Sequence, residues 1–317
     1  MDSLLNKRVW VAGHRGLVGK ALCRRLEREN CTILTTTRHE LNLLNQHDVE
    51  AWLLHEKPDA VFIAAAKVGG IWANNTKPAE FLYENMMIAG NIIHAAHLAK
   101  VSKLMFLGST CVYPKMAAQP ITETALLTGA LEPTNEWYAI AKIAGIKMCQ
   151  AYRRQYGDDF ISVMPTNLYG THDNFDLESS HVIPALMRKA HEAKMSGAKA
   201  MTVWGSGKPL REFLHVDDLA DACVFVFQRY SGEEIVNIGT GQDVSIGDLA
   251  TMIARDVVGY TGALDFDSSK PDGTPRKVSD VSRLKALGWK PSIDLLTGLR
   301  ATYAWFQENY DTARAVA

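Results

Sequence analysis

Short apolar runs alternate with longer amphipathic segments along the first half of the chain. The runs over 8–12, 32–36, 60–64 and 103–107 are short and mostly apolar, which is typical of strands buried on both faces of a parallel sheet. The segments between them, above all 80–100, repeat their apolar residues at a helical spacing. This alternation predicts an α/β fold with a doubly wound parallel sheet, in which ligands bind beyond the carboxyl ends of the strands.

The pattern indicates two lobes. A chain of 317 residues with 47% hydrophobic residues is long enough for one large core and a smaller one. We expect 1–168 to form a dinucleotide-binding Rossmann domain and 169–317 to form a smaller substrate-binding α/β lobe. Segments around 211–240 are expected to return to the first domain.

A glycine-rich loop follows the first predicted strand and leads into a helical pattern. Gly13 permits a tight turn, Gly16 lets a pyrophosphate approach the backbone, and Gly19 lets the helix pack on the strand. A turn without a ligand can have the same glycines, but the order strand, loop, helix favours a dinucleotide site. The residues between the glycines are expected to belong to this site: His14, Arg15, Leu17 and Val18.

The residues after the second strand favour NADP(H) over NAD(H). An enzyme that uses NAD commonly has an Asp or Glu there to bind the adenosine ribose, whereas this chain has three threonines and then Arg38. Arg38 and Arg15 together supply two guanidinium groups for a 2′-phosphate. The alternative is that both arginines are solvated and that Arg38 pairs with Glu40.

A Tyr-x-x-x-Lys pattern begins a long predicted helix. Lys142 lies one helical turn from Tyr138, and we expect its positive charge to lower the pKa of the phenol toward neutrality. Ser109 follows the fourth strand, so it lies at the expected mouth of the site. On their own these residues are common on helix faces and in caps. Together with the glycine loop they favour a set that transfers a proton to a carbonyl oxygen during hydride transfer.

Charge and cysteine content restrict the partners. The net charge is -1 and no run of Lys or Arg occurs, so neither nucleic acid nor an anionic membrane surface is indicated. No apolar stretch approaches the length of a membrane span, and no signal-peptide pattern precedes the first strand, so we expect a cytoplasmic protein with a small-molecule partner. The five cysteines include no C-x-x-C pair and no spacing suited to zinc, which predicts reduced thiols and no metal.

Longer blocks of sequence make a more specific resemblance. The chain resembles the GDP-L-fucose synthase family of extended short-chain dehydrogenases/reductases from about Arg8 to the final helix, in the blocks GHRGLVG, AAAKVGGIWANN, LGSTCVYP, EPTNEWYAIAKIAG, MPTNLYGTHDNF, SHVIPAL, VWGSGKPLREFLHVDD and SKPDGTPRK. The resemblance implies conversion of GDP-4-keto-6-deoxy-D-mannose to GDP-L-fucose, by epimerisation at C3 and C5 and NADPH-dependent reduction at C4. It also implies a homodimer formed through helices 80–100 and 137–156.

The resemblance assigns the two groups that epimerisation requires. The C4 ketone acidifies both neighbouring C–H bonds, so a base can remove a proton while an acid on the opposite ring face returns one. Cys111 matches the family's base and His181 its acid. From the residues alone, a small core residue is the better interpretation of Cys111 and a surface or capping histidine that of His181, and the resemblance reverses both. Ser109, Tyr138 and Lys142 match the reduction set.

The resemblance further implies contacts with cofactor and nucleotide. Besides the glycine loop, Lys142 and His181, the expected cofactor contacts are Arg38, Leu41, Asn42, Ala65, Leu107, Gly108, Pro165, Asn167 and Leu168. The expected substrate contacts are Asn167, Lys189, Trp204, Arg211, Asp272 and Lys277. Among these, Trp204 suits stacking on guanine and Arg211 suits a phosphate. Asp272 is expected to position the nucleotide and Lys277 the diphosphate. Lys189 stands where many relatives have Arg, which weakens the argument for a bidentate contact there.

Two other functions stay open from the residues. One is a different nucleotide-sugar epimerase or dehydratase of the same superfamily. A dehydratase usually has Asp-Glu after the Thr of its Ser-Thr loop, whereas Cys111 and Val112 follow Thr110 here. The other is a dinucleotide-sensing protein on a former enzyme fold, which would not need all five catalytic residues. Thr110 stands where many relatives carry Ser, and the hydroxyl is kept.

Overall fold

The structure is a computed structural model that describes residues 3–177, 179–270 and 272–313, without the side chains of Ile71 and Trp72. Pro271, in the polar loop of the SKPDGTPRK block, lies outside this part of the chain. The strands in chain order are β1 (Arg8–Ala12), β2 (Thr32–Leu34), β3 (Ala60–Ile63), β4 (Lys103–Leu107), β5 (Phe160–Pro165), β6 (Asn167–Tyr169), β7 (Ala200–Trp204), β8 (Leu210–Arg211), β9 (Phe213–His215), β10 (Val236–Ile238), β11 (Val244–Ser245), β12 (Ala263–Asp267) and β13 (Arg276–Lys277).

The helices enclose this framework. In chain order they are α1 (Leu17–Leu26), α2 (Gln46–Glu56), α3 (Ile71–Thr76), α4 (Pro78–Leu98), α5 (Glu136–Tyr156), α6 (Val182–Ser196), α7 (Val216–Arg229), α8 (Ile246–Met252), α9 (Ser282–Ala286), α10 (Leu295–Glu308) and α11 (Tyr310–Ala313). Helix α8 continues as a π-helical segment over Ile253–Val258, where the sequence predicts one helix of uniform type.

Six parallel strands form the central sheet in the order β2-β1-β3-β4-β5-β10. Strands β3, β4 and β5 are buried along their whole length, which explains why their sequences are continuous apolar runs. Because β1 lies between β2 and β3, the direction of winding reverses beside β1. Ligands of such sheets bind in the crevice at the carboxyl ends of the strands next to that reversal.

Both faces of this sheet are covered by helices. Helices α1 and α7 pack together on one face, where Leu22 and Phe227 belong to the same core as Phe62 of β3. Helices α2, α4 and α5 cover the other face, where Trp10 of β1 is fully buried. Strand β10 pairs with β5, so the segment that contains α7 and β10 lies against the first five strands.

The remaining elements form a third hydrophobic core. Its buried residues come mainly from α6, α8, the π-helical segment and α10, and they include Met187, Ile253 and Phe306. Strands β7 and β12 pair in parallel beside it, and β8 pairs with both β11 and β13. Within the described ranges no helix is both long and apolar enough to cross a membrane.

Candidate active site

The glycine loop is packed where helix α1 meets the sheet. Gly13 has φ +89, and a Cβ on it would lie 2.6 Å from the backbone nitrogen of Ala65. A Cβ on Gly19 would lie 2.1 Å from the carbonyl oxygen of Gly13, so the helix approaches the loop as closely as its backbone allows. Gly16 has no such contact closer than 3.6 Å. The loop therefore needs two of its glycines for packing and leaves the third facing open space.

The start of α1 is suited to an anion. Leu17 is its first residue, no side chain caps it, and its first turn contains no acidic residue. The backbone N–H groups there and the helix dipole favour a bound phosphate. This arrangement, together with the open side of Gly16, fits a dinucleotide.

Two exposed arginines lie at the same end of the sheet. Arg15 is in the glycine loop and Arg38 follows β2. Glu40 accepts a hydrogen bond of 2.7 Å from the backbone nitrogen of Thr37. The backbone and hydroxyl of Thr37 lower the pKa of Glu40, and the charge of Arg15 adds to this effect. Glu40 is thus engaged with its own turn, and Arg38 faces solvent, as a 2′-phosphate contact requires.

Lys142 is buried where α5 crosses the end of β4. Its Nζ donates a hydrogen bond of 2.8 Å to the carbonyl oxygen of Leu107, and lies 4.8 Å from the ring centroid of Phe106 and 5.7 Å from that of Tyr138. Burial lowers the pKa of Lys142 to about 8. The side chain is therefore mostly an ammonium at neutral pH and loses its proton as the pH rises through about 8.

Tyr138 retains its proton. Burial raises the pKa of the phenol, and negative charge on Cys111 raises it further. The expectation that the pKa of Tyr138 is lowered toward neutrality is wrong, because burial of the phenol raises it and the Lys142 ammonium donates its hydrogen bond to Leu107. At neutral pH the phenol is a proton donor.

Cys111 lies in a short 3-10 turn directly after β4. The Ser109 hydroxyl oxygen accepts a hydrogen bond of 3.3 Å from the Cys111 backbone nitrogen, and Lys277 Nζ donates to Cys111 Sγ over 3.4 Å. Burial alone would raise the pKa of this thiol. The charge of Lys277, a hydrogen bond from Ser109 and the charge of Arg211 reverse that effect, so the pKa is lowered.

His181 is the residue immediately before α6. Its backbone caps the helix, and its imidazole makes no capping hydrogen bond. The preceding residues are fixed, because Gly70 donates a backbone hydrogen bond of 3.0 Å to Ser179. The surrounding protein lowers the pKa of His181 by desolvation, although the residue is exposed. Within the described residues no hydrogen bond joins His181 to Cys111.

A cationic cluster surrounds the exposed ring of Trp204. Lys189 Nζ lies 4.7 Å and Lys270 Nζ 5.3 Å from its centroid. Burial and then the charge of Lys270 lower the pKa of Lys189, so the two ammonium groups repel each other. Asp272 accepts hydrogen bonds from the nitrogen and hydroxyl of Ser206, both of 2.7 Å, which fixes the turn after Trp204. An aromatic face beside two cations suits a nucleotide with a diphosphate.

Arg211 connects this cluster to Cys111. Its guanidinium donates to the carbonyl oxygens of Leu210 at 2.9 Å and Asp272 at 3.3 Å. In the paired strands β8 and β13, Arg211 lies opposite Lys277.

The other predicted cofactor residues occupy the carboxyl edge of the sheet. Asn167 donates a hydrogen bond of 2.8 Å to the carbonyl oxygen of Glu212, and Leu41 is buried in a core, so its side chain is not available to a ligand. Asn42 uses its side-chain oxygen to accept from Leu44. Four of the remaining positions end or follow a strand at this edge: Ala65, Leu107, Gly108 and Pro165. Leu168 is the middle residue of β6, which pairs with β9.

Comparison with known proteins identifies the family. A model of the NAD dependent epimerase/dehydratase family matches residues 9–239. The GDP-L-fucose synthase 1 of Arabidopsis thaliana is 60% identical to this chain over 303 residues, which cover 95% of this chain and 94% of the plant protein. The chain belongs to the GDP-L-fucose synthase family.

Two further members of the GDP-L-fucose synthase family support this assignment. The Escherichia coli K12 enzyme is 57% identical over 320 residues, covering 97% of this chain and 99% of its own. The structure of a GDP-L-fucose synthetase from Naegleria fowleri bound to NADP has a TM-score of 0.89 and 31% identity, and covers 98% of this chain and 97% of that one. The predicted doubly wound fold and the family resemblance are confirmed.

Three residues of this GDP-L-fucose synthase family site were not singled out from the sequence. Lys270 lies beside Trp204, and fully buried Glu212 holds two loops near Arg211. Asn135 precedes α5, and its buried side-chain oxygen has no hydrogen-bond partner among the described residues. The sequence could have indicated Asn135, because it lies inside the family-like block EPTNEWY. For Glu212 the signal was an acidic residue beside the mostly apolar segment 213–216.

Proposed function

We propose that the protein converts GDP-4-keto-6-deoxy-D-mannose to GDP-L-fucose, by epimerising C3 and C5 and reducing C4 with NADPH. The observation that carries this proposal is the environment of Cys111, a thiol of lowered pKa that contacts Ser109 and lies within electrostatic range of a protonated Tyr138. A simple ketoreductase needs the tyrosine but has no use for an ionisable thiol beside it. The names of the relatives that are 57% and 60% identical support the same substrate.

NADPH, when bound, supplies the hydride that reduces C4. The N–H groups at the start of α1 and the open side of Gly16 would hold its diphosphate. Arg15 and Arg38 would bind the 2′-phosphate, which distinguishes NADPH from NADH. Backbone at the ends of β3, β4 and β5 would line the rest of this side.

Epimerisation uses two groups on opposite sides of the sugar. Cys111, as a thiolate, removes the proton from C3 and later from C5, and the electron pair of each C–H bond moves to the C4 oxygen as an enolate. His181 returns a proton to the opposite face of the same carbon, which inverts it. Ser109 holds the C4 oxygen during both steps. Cys111 and His181 belong to different proposed lobes, which supports their action on opposite faces of the sugar ring.

Reduction uses the proton that Tyr138 retains. As the C4 carbonyl becomes an alkoxide, the phenol gives up its proton to that oxygen. Lys142, as an ammonium 5.7 Å from the ring centroid, stabilises the phenolate that results. Its hydrogen bond to Leu107 keeps this ammonium under the tyrosine.

The nucleotide half of the substrate is assigned to the cationic cluster. Trp204 would stack on guanine, and Lys189 and Arg211 would contact the diphosphate. Asp272 acts through the Ser206 turn that it holds. Asn167 faces the sugar from β6. Lys277, expected from the resemblance at the diphosphate, contacts Cys111 in the structure.

The proposal includes a cytoplasmic homodimer. Apolar side chains on adjacent helices α4 and α5 are exposed, among them Tyr83 at 60% and Ile140 at 40%, and pairing with a second copy would bury them. All five cysteines are free thiols, as a reducing compartment allows. We also propose 1–168 and 169–317 as the two functional units, with segments around 211–240 joined to the first.

The direct test is product analysis. The protein is incubated with GDP-4-keto-6-deoxy-D-mannose and NADPH, and the product is identified by NMR. GDP-L-fucose is expected. A product that is reduced at C4 but not inverted at C3 and C5 would show that the protein is a simple reductase. If no NADPH is oxidised, the proposal is wrong.

A further inference from the structure

Lys277 is fixed beside Cys111 by backbone pairing on both sides of its strand. On one side Leu210 donates to Pro275 over 2.9 Å and Glu212 donates to Lys277 over 3.3 Å. On the other side the neighbouring residue Val278 accepts a hydrogen bond of 2.8 Å from Ile121, in the segment that follows Cys111. The backbone pairing of β13 therefore holds Lys277 where its Nζ can contact Cys111 Sγ over 3.4 Å.

A buried carboxylate strengthens this arrangement. Glu212 is fully buried and accepts hydrogen bonds from the backbone nitrogens of Ser279 at 2.9 Å and Gly241 at 2.7 Å. Ser279 is two residues after Lys277, so Glu212 ties the end of β13 to β8. A fully buried acidic side chain therefore holds the strand that presents Lys277.

The groups around Cys111 are mainly cationic. Lys277 comes from β13 and Arg211 from β8, while Ser109 and Tyr138 are neutral. Lys115 and Glu132 line the small cavity next to Cys111 and Lys277, and they form an ion pair of 2.9 Å with each other. Two positive charges therefore act on the thiol without an acidic group bonded to either of them in the part of the chain that the structure describes.

We propose that Lys277 is a positioning residue for the epimerisation, whose ammonium holds Cys111 in the thiolate form and so sets the pH at which the base becomes available. This inference rests on the proposed function. Lys277 neither gives nor takes a proton. The thiolate takes the proton from the sugar carbon and becomes a thiol, His181 delivers a proton to the other face, and the cycle closes when the thiol proton passes to the solvent and His181 is reprotonated.

The arrangement also relates the two chemical stages. Burial raises the pKa of Tyr138 and negative charge on Cys111 raises it further, so the phenol is protonated while Cys111 is a thiolate. The base of the epimerisation and the acid of the reduction are therefore available at the same pH.

The test is the pH dependence of Cys111 alkylation by iodoacetamide in the full-length protein without substrate, located by peptide mass spectrometry. In Lys277→Met, which keeps the length but not the charge, we expect the alkylation midpoint of Cys111 to rise by about one pH unit, and the rate at pH 7 to fall about 10-fold. Lys277→Arg should keep the wild-type profile. Cys23, half-buried and distant in sequence, is the internal reference and should be unchanged in all three proteins.

A second readout separates positioning from substrate binding. Lys277→Met should lose about 10-fold in solvent exchange at C3 and C5 at neutral pH and recover it at a pH about one unit higher. An unchanged alkylation profile with a raised substrate KM would overturn the inference in favour of a diphosphate contact. NADPH binding by each variant shows that it is folded.

The failures can be told apart. Alkylation needs no substrate, so a shifted profile in a protein that makes no GDP-L-fucose would leave the Lys277 contact standing and reject the proposed function. If the wild-type protein forms GDP-L-fucose but the alkylation profile of Lys277→Met is not shifted, the proposed function stands and the role of Lys277 is rejected.

Discussion

Lys142 donates a hydrogen bond of 2.8 Å to the carbonyl oxygen of Leu107, which ties helix α5 to the end of strand β4. The bond fixes the ammonium at the depth where burial lowers its pKa to about 8. Above that pH an uncharged amine replaces the ammonium beneath Tyr138, and the phenolate formed in the reduction loses its nearby positive charge.

We therefore expect the rate of C4 reduction to fall as the pH rises through about 8. The raised pKa of Tyr138 keeps the phenol protonated over this range, so it does not contribute to the decline. Single-turnover oxidation of NADPH between pH 6 and pH 10 measures the effect. Lys142→Arg, which stays charged, should lower the maximum but move the decline to higher pH. A constant wild-type rate from neutral to strongly alkaline pH would contradict this role.

Cofactor preference is expected to depend on the two exposed arginines. Arg15→Ala or Arg38→Ala removes a charge-assisted contact with the 2′-phosphate and should raise the KM for NADPH about 10- to 100-fold, with little effect on the KM for NADH. Arg28→Ala, an exposed arginine after α1, is the matched control and should change neither. Equal losses with both cofactors would show that the arginines act on the shared part of the dinucleotide.

Glu212 is expected to contribute to folding stability. Glu212→Gln keeps the shape but places an NH2 group or a weaker acceptor against the nitrogens of Gly241 and Ser279. The free energy of unfolding should fall by about 2 kcal/mol. Glu308→Gln, on the exposed face of α10, is the control and should be neutral. Urea unfolding followed by circular dichroism compares the two variants with the wild type, and equal midpoints would show that the second acceptor oxygen of Glu212 is not required.

Local patterns predict much of the fold and part of the site. Strand β4 was predicted at its observed bounds, and helix α4, at Pro78–Leu98, lies two residues from the prediction at each end. Their apolar spacing is a property of neighbouring residues. Gly13 and Gly19 were assigned to a turn and to packing, and the structure shows both contacts.

The contact of Lys277 with Cys111 could not be predicted in this way. It joins residues 166 positions apart through strands β8 and β13, each of two residues, which are too short to show any periodicity. The raised pKa of Tyr138 is likewise a consequence of burial, which the spacing of Tyr138 and Lys142 along the helix does not reveal.

The two chemical stages should separate in single variants. Tyr138→Phe removes the proton donor and should stop NADPH oxidation, with a loss of about 100-fold or more, while Cys111 continues to act. Cys111→Ser replaces the thiolate by a hydroxyl of far higher pKa and should suppress proton exchange at C3 and C5. NMR of the sugar and absorbance of NADPH follow the two stages in the same sample.

The most direct measurement is the reaction in deuterated water. The wild-type protein, incubated there with GDP-4-keto-6-deoxy-D-mannose and NADPH, should produce GDP-L-fucose that carries deuterium at both C3 and C5. Tyr138→Phe should place deuterium at these carbons of the unreduced keto sugar. GDP-L-fucose without deuterium at C3 and C5, or deuterium incorporation that survives in Cys111→Ser, would contradict the assignment of Cys111 as the epimerisation base.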